Sequence, residues 1–456
     1  MTAAKRPIRR ILVANRGEIA LRIIRACHEL DIEAIQVYSE ADRDSLPVRL
    51  ADGSICIGPP PSSQSYLRID LLIAAARAAR VDAVHPGYGF LSENAAFAQA
   101  CEDAGVVFIG PPPWAIAMMG NKASARRMAT EADVPTTPGS PGAVENAAAA
   151  RQIADSLGYP ILLKAAAGGG GRGMRVVRDP AELDSRFGDA AREAQAAFGD
   201  GSLYVEKFLE RVRHVEIQVL AGAETVLHLG ERDCSIQRRN QKLVEESPSP
   251  ALDDALRARM GEAAVRVCRR VGYRSAGTVE FIVDAASGVF HFMEMNTRVQ
   301  VEHPVTELVT GIDIVKSQIR IAEGAGLDIA QDDVRLTGHA LECRINAEDP
   351  ARDFAPSPGE VRDLYLPGGP GIRVDSHVYA GYRIPPYYDS LLAKVISWGR
   401  DRPEAIARMR RALSEMRLEG VPTTLPFHLE LLADERFRRG DVHTRFIEDE
   451  FGNRSQ

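Results

Sequence analysis

Apolar residues change their spacing along this chain of 456 residues, and the changes mark three regions. In residues 1–115 short apolar runs alternate with helical spacing. Arg10–Asn15 contains the run Ile11-Leu12-Val13-Ala14, and Glu18–Leu30 sets Ile19, Ile23, Ile24, Cys27 and Leu30 at helical intervals. Ile32, Ala34, Ile35 and Val37 then suit a strand. Leu67–Arg80 predicts a second helix, Asp82–Val84 a strand, Glu93–Ala104 a helix and Val106–Ile109 a strand. Such alternation predicts βαβ units on a parallel sheet. Gly110-Pro111-Pro112-Pro113 ends the region as a stiff boundary.

Residues 116–330 read differently. Ala123–Ala132 and Ala147–Leu157 have helical spacing, while Pro160–Lys164 and Met174–Val177 read as strands around a glycine loop. His214–Leu220, Thr225–Leu229, Gly277–Val283 and Val289–Asn296 follow as strands with few crossover helices, which predicts an antiparallel sheet. Residues 331–450 begin with short strands rich in Gly and Pro and end in two helical patterns, Pro403–Glu419 and Thr424–Asp434. The tail after Gly452 is expected to fray.

Composition supports three ordinary globular domains of roughly 100–200 residues each. Lys plus Arg number 56 against 63 Asp plus Glu, and a net charge of −7 argues against a nucleic-acid partner. No apolar run reaches the roughly 20 residues that span a bilayer, so no membrane association is expected. The six cysteines lie far apart with no C-x-x-C. Reduced thiols in the cytoplasm are expected rather than a disulfide framework or a zinc site.

Several local patterns carry candidate chemistry. Gly168-Gly169-Gly170-Gly171-Arg172-Gly173-Met174 is costly to order, and strands on both sides make it a hairpin tip rather than a P-loop. Taken alone it is equally a mobile surface loop. Lys164, ending the preceding strand, favours a flap whose backbone N–H groups cover phosphate oxygens. Glu280 and Glu294 flank Ala285-Ala286-Ser287-Gly288, with residue 287 midway between them. A hairpin turning there sets the two carboxylates opposite each other, a destabilising pair unless a cation joins them. Asn296 adds a neutral oxygen on the same face, and the set suits Mg²⁺ or Mn²⁺ bridging phosphates.

Arg298-Val299-Gln300-Val301-Glu302-His303-Pro304, if extended, points Arg298, Gln300 and Glu302 to one face, an anion site with its own base. Pro304 then opens a helix over Val305–Gly324. His85-Pro86-Gly87-Tyr88-Gly89-Phe90-Leu91-Ser92-Glu93-Asn94 falls at the carboxyl edge of the parallel sheet, where such sheets bind ligands, with His85 itself a structural hydrogen-bonder. The basic residues of Glu231–Glu246, with Arg232, Arg238, Arg239 and Lys242, read as a solvated face. Arg344 is a charge inside a strand-like stretch that either pairs with a carboxylate or reaches an anionic ligand.

Together HPGYGFLSEN (85–94), GGGGRGM (168–174), QRRNQK (237–242) and EMNTRVQVEHPVTE (294–307), in this order, resemble biotin carboxylase. The match extends from NRGEIA (15–20) to PPYYDS (385–390). The resemblance implies an α/β and α+β fold: an N-terminal doubly wound domain over 1–115, a central ATP-grasp domain over 116–330 with a glycine-rich lid near 135–209, and a C-terminal α/β domain over 331–450. It implies that Lys122, Lys164, Gly168, Gly169, Gly170, Gly171, Glu206, Lys207, Phe208, Leu209, His214 and Asn240 hold ATP. Glu280, Glu294 and Asn296 would hold two Mg²⁺ or Mn²⁺ ions. Lys242, Arg298, Gln300 and the Val301 backbone would bind bicarbonate, with Glu302 as the base. Arg298 and Arg344 would stabilise the enolate form of biotin, and Tyr88 would line its pocket. Three positions depart from the family pattern: Asn240 replaces a His, Asn121 replaces an Asp before Lys122, and Ala167 shortens the glycine run.

The activity so implied is ATP- and bicarbonate-dependent carboxylation of biotin on a biotin carboxyl carrier protein. Rival readings are another ATP-grasp ligase, which would lack Arg344 and the HPGYGFLSEN pocket, and a nucleotide-binding regulatory module, which would lack the full metal set. No Met-Lys-Met biotin-attachment segment occurs, so carrier and carboxyltransferase subunits are expected as separate chains. A homodimer is the family expectation. An acetyl-CoA carboxylase of fatty acid biosynthesis is the leading context; propionyl-CoA, methylcrotonyl-CoA or pyruvate acceptors remain alternatives.

Overall fold

The computed structural model describes residues 7–166, 174–284 and 287–451. Five strands of the first region, β1 (Arg10–Val13), β2 (Glu33–Tyr38), β3 (Gly53–Cys56), β4 (Ala83–His85) and β5 (Val107–Phe108), form one sheet in the order β3-β2-β1-β4-β5. Every pairing in it is parallel. Successive residues of β1 face opposite sides: Ile11 and Val13 enter one apolar cluster with Ile19 and Ile23, and Leu12 enters another with Val84 and Phe97. Helices therefore cover both faces, as a doubly wound domain requires. The sequence reading missed β3 and the short helix Leu46–Leu50. As the edge strand, β3 has no residue fully buried, so it carries little apolar signal.

Strand order reverses between β1 and β4, and their carboxyl ends open the crevice typical of this topology. Asn15, just after β1, donates from Nδ2 to the carbonyls of Pro86 (2.6 Å) and Tyr88 (2.7 Å). Gly87 lies at φ +63°, and a Cβ there would come within 2.9 Å of Asn15 Nδ2. Glycine is thus required for this loop to close on β1. His85 is buried and accepts the Gly87 N–H at Nδ1, the structural role expected of it.

The lid region is a small unit of its own. Strands β6 (Ile161–Ala165), β7 (Met174–Val177) and β8 (Leu203–Lys207) form an antiparallel sheet in the order β7-β6-β8. Two helices, Ala147–Leu157 and Leu183–Phe198, pack on it through small residues such as Ala150, Ala154, Ala190 and Ala194. The second helix escaped the sequence reading because, besides Leu183, only alanines of it are buried. β6 and β7 pair as the expected hairpin, and Gly168–Gly171 and Ala167 lie outside the described residues.

The largest element is an eight-stranded sheet. Its order is β13 (Val289–Asn296), β12 (Ser275–Asp284), β9 (Arg213–Ala221), β10 (Val226–Arg238), β11 (Gln241–Ser247) and β14 (His339–Asn346), then strands Leu391–Gly399 and Ile372–Ser376. All neighbours are antiparallel, as the alternation predicts. The sheet crosses the boundary expected at 330, because β11 pairs with β14 (Val244↔Cys343, Ser247↔Ala340). An 18-residue helix, Asp254–Val271, covers the β9–β13 part; Asp253 caps its start and Gly272, in the left-handed region, ends it.

Alternation governs the C-terminal strands, with exceptions such as Glu246 on the apolar side, held by His339 and Arg402, and Ile396 on the charged side across from Glu342. Val244, Leu341, Cys343, Ile345, Ala393 and Val395 face a core under the helix Arg402–Glu415. Glu245, Glu342, Arg344, Lys394 and Asp375 occupy the opposite, interior face in matching register. Three local expectations fail, the first being the helix over Pro403–Glu419, which stops at Glu415 while Arg417–Glu419 pairs as a strand with Asp363–Tyr365. Arg298–Glu302 is irregular backbone, not a strand, and Gln300 O accepts the His303 N–H to start a helix turn. The helix expected over Val305–Gly324 is two, His303–Thr310 and Ile314–Ala322, parted by Gly311 in the left-handed region and restarted by the Asp313 cap.

Candidate active site

One face of the central sheet is polar although buried. Cross-strand register sets Arg232 on β10, Glu216 on β9, Glu280 on β12 and Glu294 on β13 in a single row. The next row is Gln218, Thr278 and Asn296. Intervening residues such as Val215, Ile217, Val279 and Phe281 face the helix beneath. The predicted opposition of Glu280 and Glu294 is thus present, with a bulge immediately after Glu280.

Three carboxylates in a row need cations. Arg232, with 0% of its side chain exposed, donates from Nε to Glu216 (2.6 Å) and from its other nitrogens to Gln218, Thr306, Thr278 and Gln300. Lys242 Nζ donates to Glu216 (2.6 Å), Glu280 (3.0 Å) and Glu302 (2.6 Å). The expectation that this basic run forms a solvated face is therefore wrong at these two residues. β10 and β11 fold back on each other and turn Arg232 and Lys242 inward, and only the turn, with Arg239, reaches solvent. Arg239 and Asn240 form that turn at φ +50° and +63°, a two-residue hairpin with both central residues in the left-handed region, where Asn is tolerated better than most side chains. Asn at 240 is thus compatible with the turn. Asn121 likewise caps the helix Lys122–Glu131 by accepting the Ser124 N–H.

Burial would raise the Glu280 carboxyl, but Lys242 and His214, 3.1 Å away at Nε2, hold it well below the ordinary range. Glu294, exposed to the cleft, is pushed up by its surroundings and by the neighbouring Glu280 charge. Asn296 donates to Glu280 (2.8 Å) and accepts from Arg298 (2.8 Å). Two carboxylates and an amide oxygen, with a charge deficit at Glu294, fit a hard divalent cation.

Glu302 is 2% exposed and lies between two cations, Lys242 and Arg344 (Nη2 to Oε2, 3.0 Å). Burial alone would raise its carboxyl; Lys242, Arg344 and Arg232 hold it far below the usual range, so it is ionised at neutral pH. Arg344 is itself seated on Glu245. Gln300 donates to Glu280 (2.8 Å), and Arg298 Nε donates to Glu93 (2.7 Å) of the loop after β4. The Tyr88 hydroxyl donates to Glu18.

Tyr88, Lys242, Glu280, Glu294, Asn296, Arg298, Gln300, Glu302 and Arg344 line one cavity of about 1090 Å³ that extends to the lid. On the lid side Lys164 lies 3.5 Å from Glu206, which also accepts from Arg126 (2.6 Å). Burial, then the Lys164 charge, lowers the Lys122 ammonium, as befits lysines gathered for an anion. Phe208, Leu209, Asn240 and His214 line the same space. Lys207 lines it too, but its ammonium donates to the carbonyls of Gly158 and Tyr159.

Three family models match the chain in order. They are the biotin carboxylase N-terminal domain over 7–116, the carbamoyl-phosphate synthase L chain ATP binding domain over 121–330, and the biotin carboxylase C-terminal domain over 342–449. A biotin carboxylase of Nostoc sp. is 57% identical over 441 residues, 96% of this chain and 98% of that protein. The chain belongs to the biotin carboxylase family. It is accordingly an ATP-dependent ligase with biotin carboxylase activity, and the flanking domain models set aside the rival ATP-grasp ligases. A biotin carboxylase–β,γ-ATP complex from Campylobacter jejuni matches with a TM-score of 0.94 at 48% identity, covering 97% of this chain and 99% of that one. The biotin carboxylase domain dimer of Hydrogenobacter thermophilus 2-oxoglutarate carboxylase, solved with MgADP, ADP and bicarbonate, matches at 0.93 and 49%, covering 97% of each chain.

Within this biotin carboxylase frame, sequence reasoning missed Glu216, Glu93, Glu18 and Lys394. Glu216 had a readable signal, since His214, Glu216 and Gln218 alternate with valine and isoleucine. The others act across long sequence distances, and no local pattern marks them. Among the described residues no helix is long and apolar enough to cross a membrane.

Proposed function

We propose that the cleft joins ATP and bicarbonate and passes the carboxyl group to biotin on a biotin carboxyl carrier protein. The observation that carries this is Glu302, an ionised carboxylate held between Lys242 and Arg344 beside Arg298, Gln300 and the Glu280–Glu294–Asn296 corner. Lys242, Arg298, Gln300 and the Val301 backbone bind bicarbonate, and Glu302 takes its proton. The resulting oxygen nucleophile attacks the γ-phosphoryl group, ADP leaves, and carboxyphosphate forms. Lys122 and Lys164 offset phosphate charge, with His214, the Glu206–Leu209 segment, Asn240 and Gly168–Gly171 completing the ATP site. Mg²⁺ or Mn²⁺, when held by Glu280, Glu294 and Asn296, supplies further charge neutralisation on the phosphates. Carboxyphosphate breaks into CO₂ and phosphate, phosphate removes the biotin N–H proton, and Arg298 and Arg344 stabilise the enolate that attacks CO₂. Tyr88 borders the biotin pocket.

The domain limits that go with this reading are 1–115, 116–330 with the lid at 135–209, and 331–450. We place the chain in the cytoplasm as a homodimer that works with separate carrier and carboxyltransferase chains. An acetyl-CoA carboxylase serving fatty acid biosynthesis is the assignment we favour for the second half-reaction. The relative from Hydrogenobacter, part of a 2-oxoglutarate carboxylase, sets a keto-acid acceptor beside it as the alternative. Co-purified partner chains assayed against an acyl-CoA and keto-acid panel decide between them.

The test of the site is bicarbonate-dependent ATP hydrolysis with and without free biotin. Glu302→Gln should lower turnover by about a hundredfold or more while nucleotide still binds. Wild-type turnover in that variant removes Glu302 from its role, and indifference of the wild type to biotin removes biotin as acceptor.

A further inference from the structure

Lys394 is a lysine with 0% of its side chain exposed, on the strand Leu391–Gly399 directly across from Arg344. A buried ammonium costs several kcal/mol unless its three N–H groups find partners. Its partners come from different parts of the chain. Nζ donates to the Val301 carbonyl at 2.8 Å and lies 3.1 Å from Glu18 Oε2; Asp375, cross-strand from it, is 3.9 Å away. The other oxygen of Glu18 accepts the Tyr88 hydroxyl. Glu18 belongs to the first helix of the doubly wound domain, Val301 to the segment beside the central sheet, and Lys394 to the C-terminal strands.

We propose that Lys394 is a positioning residue for the bicarbonate and biotin pocket, holding the Val301 carbonyl and the Glu18–Tyr88 pair with one buried charge. The inference rests on the pocket assigned above to Arg298, Val301, Arg344 and Tyr88. A free peptide carbonyl at the wall of an anion site repels the anion. Bonding to Lys394 turns the negative end of the Val301 carbonyl toward the ammonium instead. The same ammonium balances Glu18, which has no other cation within ion-pairing distance among the described residues and which fixes the Tyr88 ring. Asp375 is already paired with Arg373 at 2.7 Å, so of the groups in contact with Lys394 it is Glu18 and the Val301 carbonyl that depend on it.

A simpler role, neutralising Glu18 so that the helix can be buried, predicts different kinetics. Lys394→Met should raise the KM for bicarbonate and for biotin by about tenfold, with the KM for ATP within about twofold of wild type. Glu18→Gln/Lys394→Met, which leaves no unpaired charge, should regain thermal stability but keep both raised KM values. It carries the same readout if the single variant fails to fold. Return of both KM values to wild type in the double variant, or an equal rise in all three KM values, overturns the positioning role. Arg298→Ala separates the two levels of the argument. If it raises the bicarbonate KM while Lys394→Met does not, Lys394 falls and the pocket stands. If it leaves that KM unmoved, the pocket assignment itself falls.

Discussion

Glu245 and Glu342 face each other across β11 and β14, fully buried, and neither oxygen of Glu342 has a hydrogen-bond partner among the described residues. Burial pushes the Glu245 carboxyl up to about 7 even with Arg344 on it. Burial, and then the Glu245 charge, raises Glu342 well above its ordinary value, with Lys394 opposing. A carboxyl raised in the folded state binds a proton that the unfolded chain releases above its value of 4.5, so its contribution to stability falls as pH rises. Glu342→Gln cannot ionise and escapes that loss. The difference in melting temperature between variant and wild type should therefore shift in favour of the variant from about pH 5.5 to about pH 8, toward a limit of about 1.4 kcal/mol per pH unit. A difference that stays constant over this range would show Glu342 ionised in the native state. At this scale the sequence was informative where partners are near neighbours. Glu280 and Glu294 were legible because a single hairpin joins them. Contacts such as Arg298 to Glu93, 205 residues apart, or Lys394 to Val301, 93 apart, have no local signature.

Elements were legible in proportion to their apolar signal. Most strands of the doubly wound sheet and of the central sheet announce themselves by short runs or by alternation, β3 and β11 excepted. Helix Leu183–Phe198 rests on alanines, and helix Asp254–Val271 interleaves its buried face with arginines, so both went unread. Arg298–Glu302 has strand-like alternation but no strand partner among the described residues, and its polar groups are held instead by side chains of Glu93, Glu280 and Lys242. The β10–β11 turn offers a direct check on element-level reasoning. Asn240→Gly should leave stability nearly unchanged, whereas Asn240→Val, forced into the left-handed region, should cost about 1 kcal/mol or more in urea unfolding. Equal stability of the two would mean the turn does not constrain position 240.

For the molecule as a whole, the central sheet and the C-terminal strands are continuous, whereas the lid has its own sheet and its own core. A fragment ending at residue 330 would strip β14 from β11 and leave an unpaired strand edge with Val244 beside it. Such a fragment should be recovered as aggregate, or as oligomers in gel filtration; a soluble monomer would show that β11 tolerates an open edge. The division into three sequence regions was readable, but this continuity was not. Composition shifts report where sequence style changes, and strand pairing between regions leaves no such mark.

The alternation around Lys394 also limits how the C-terminal strands can pair. Arg344, Lys394 and Asp375 share one side while Cys343, Ile345, Ala393 and Val395 share the other, so pairing out of step by a single residue would bury valine among carboxylates and strand Lys394 in hydrocarbon. Assembly errors at this seam are thereby self-rejecting: a mispaired chain cannot close, and only correctly aligned copies would go on to consume ATP.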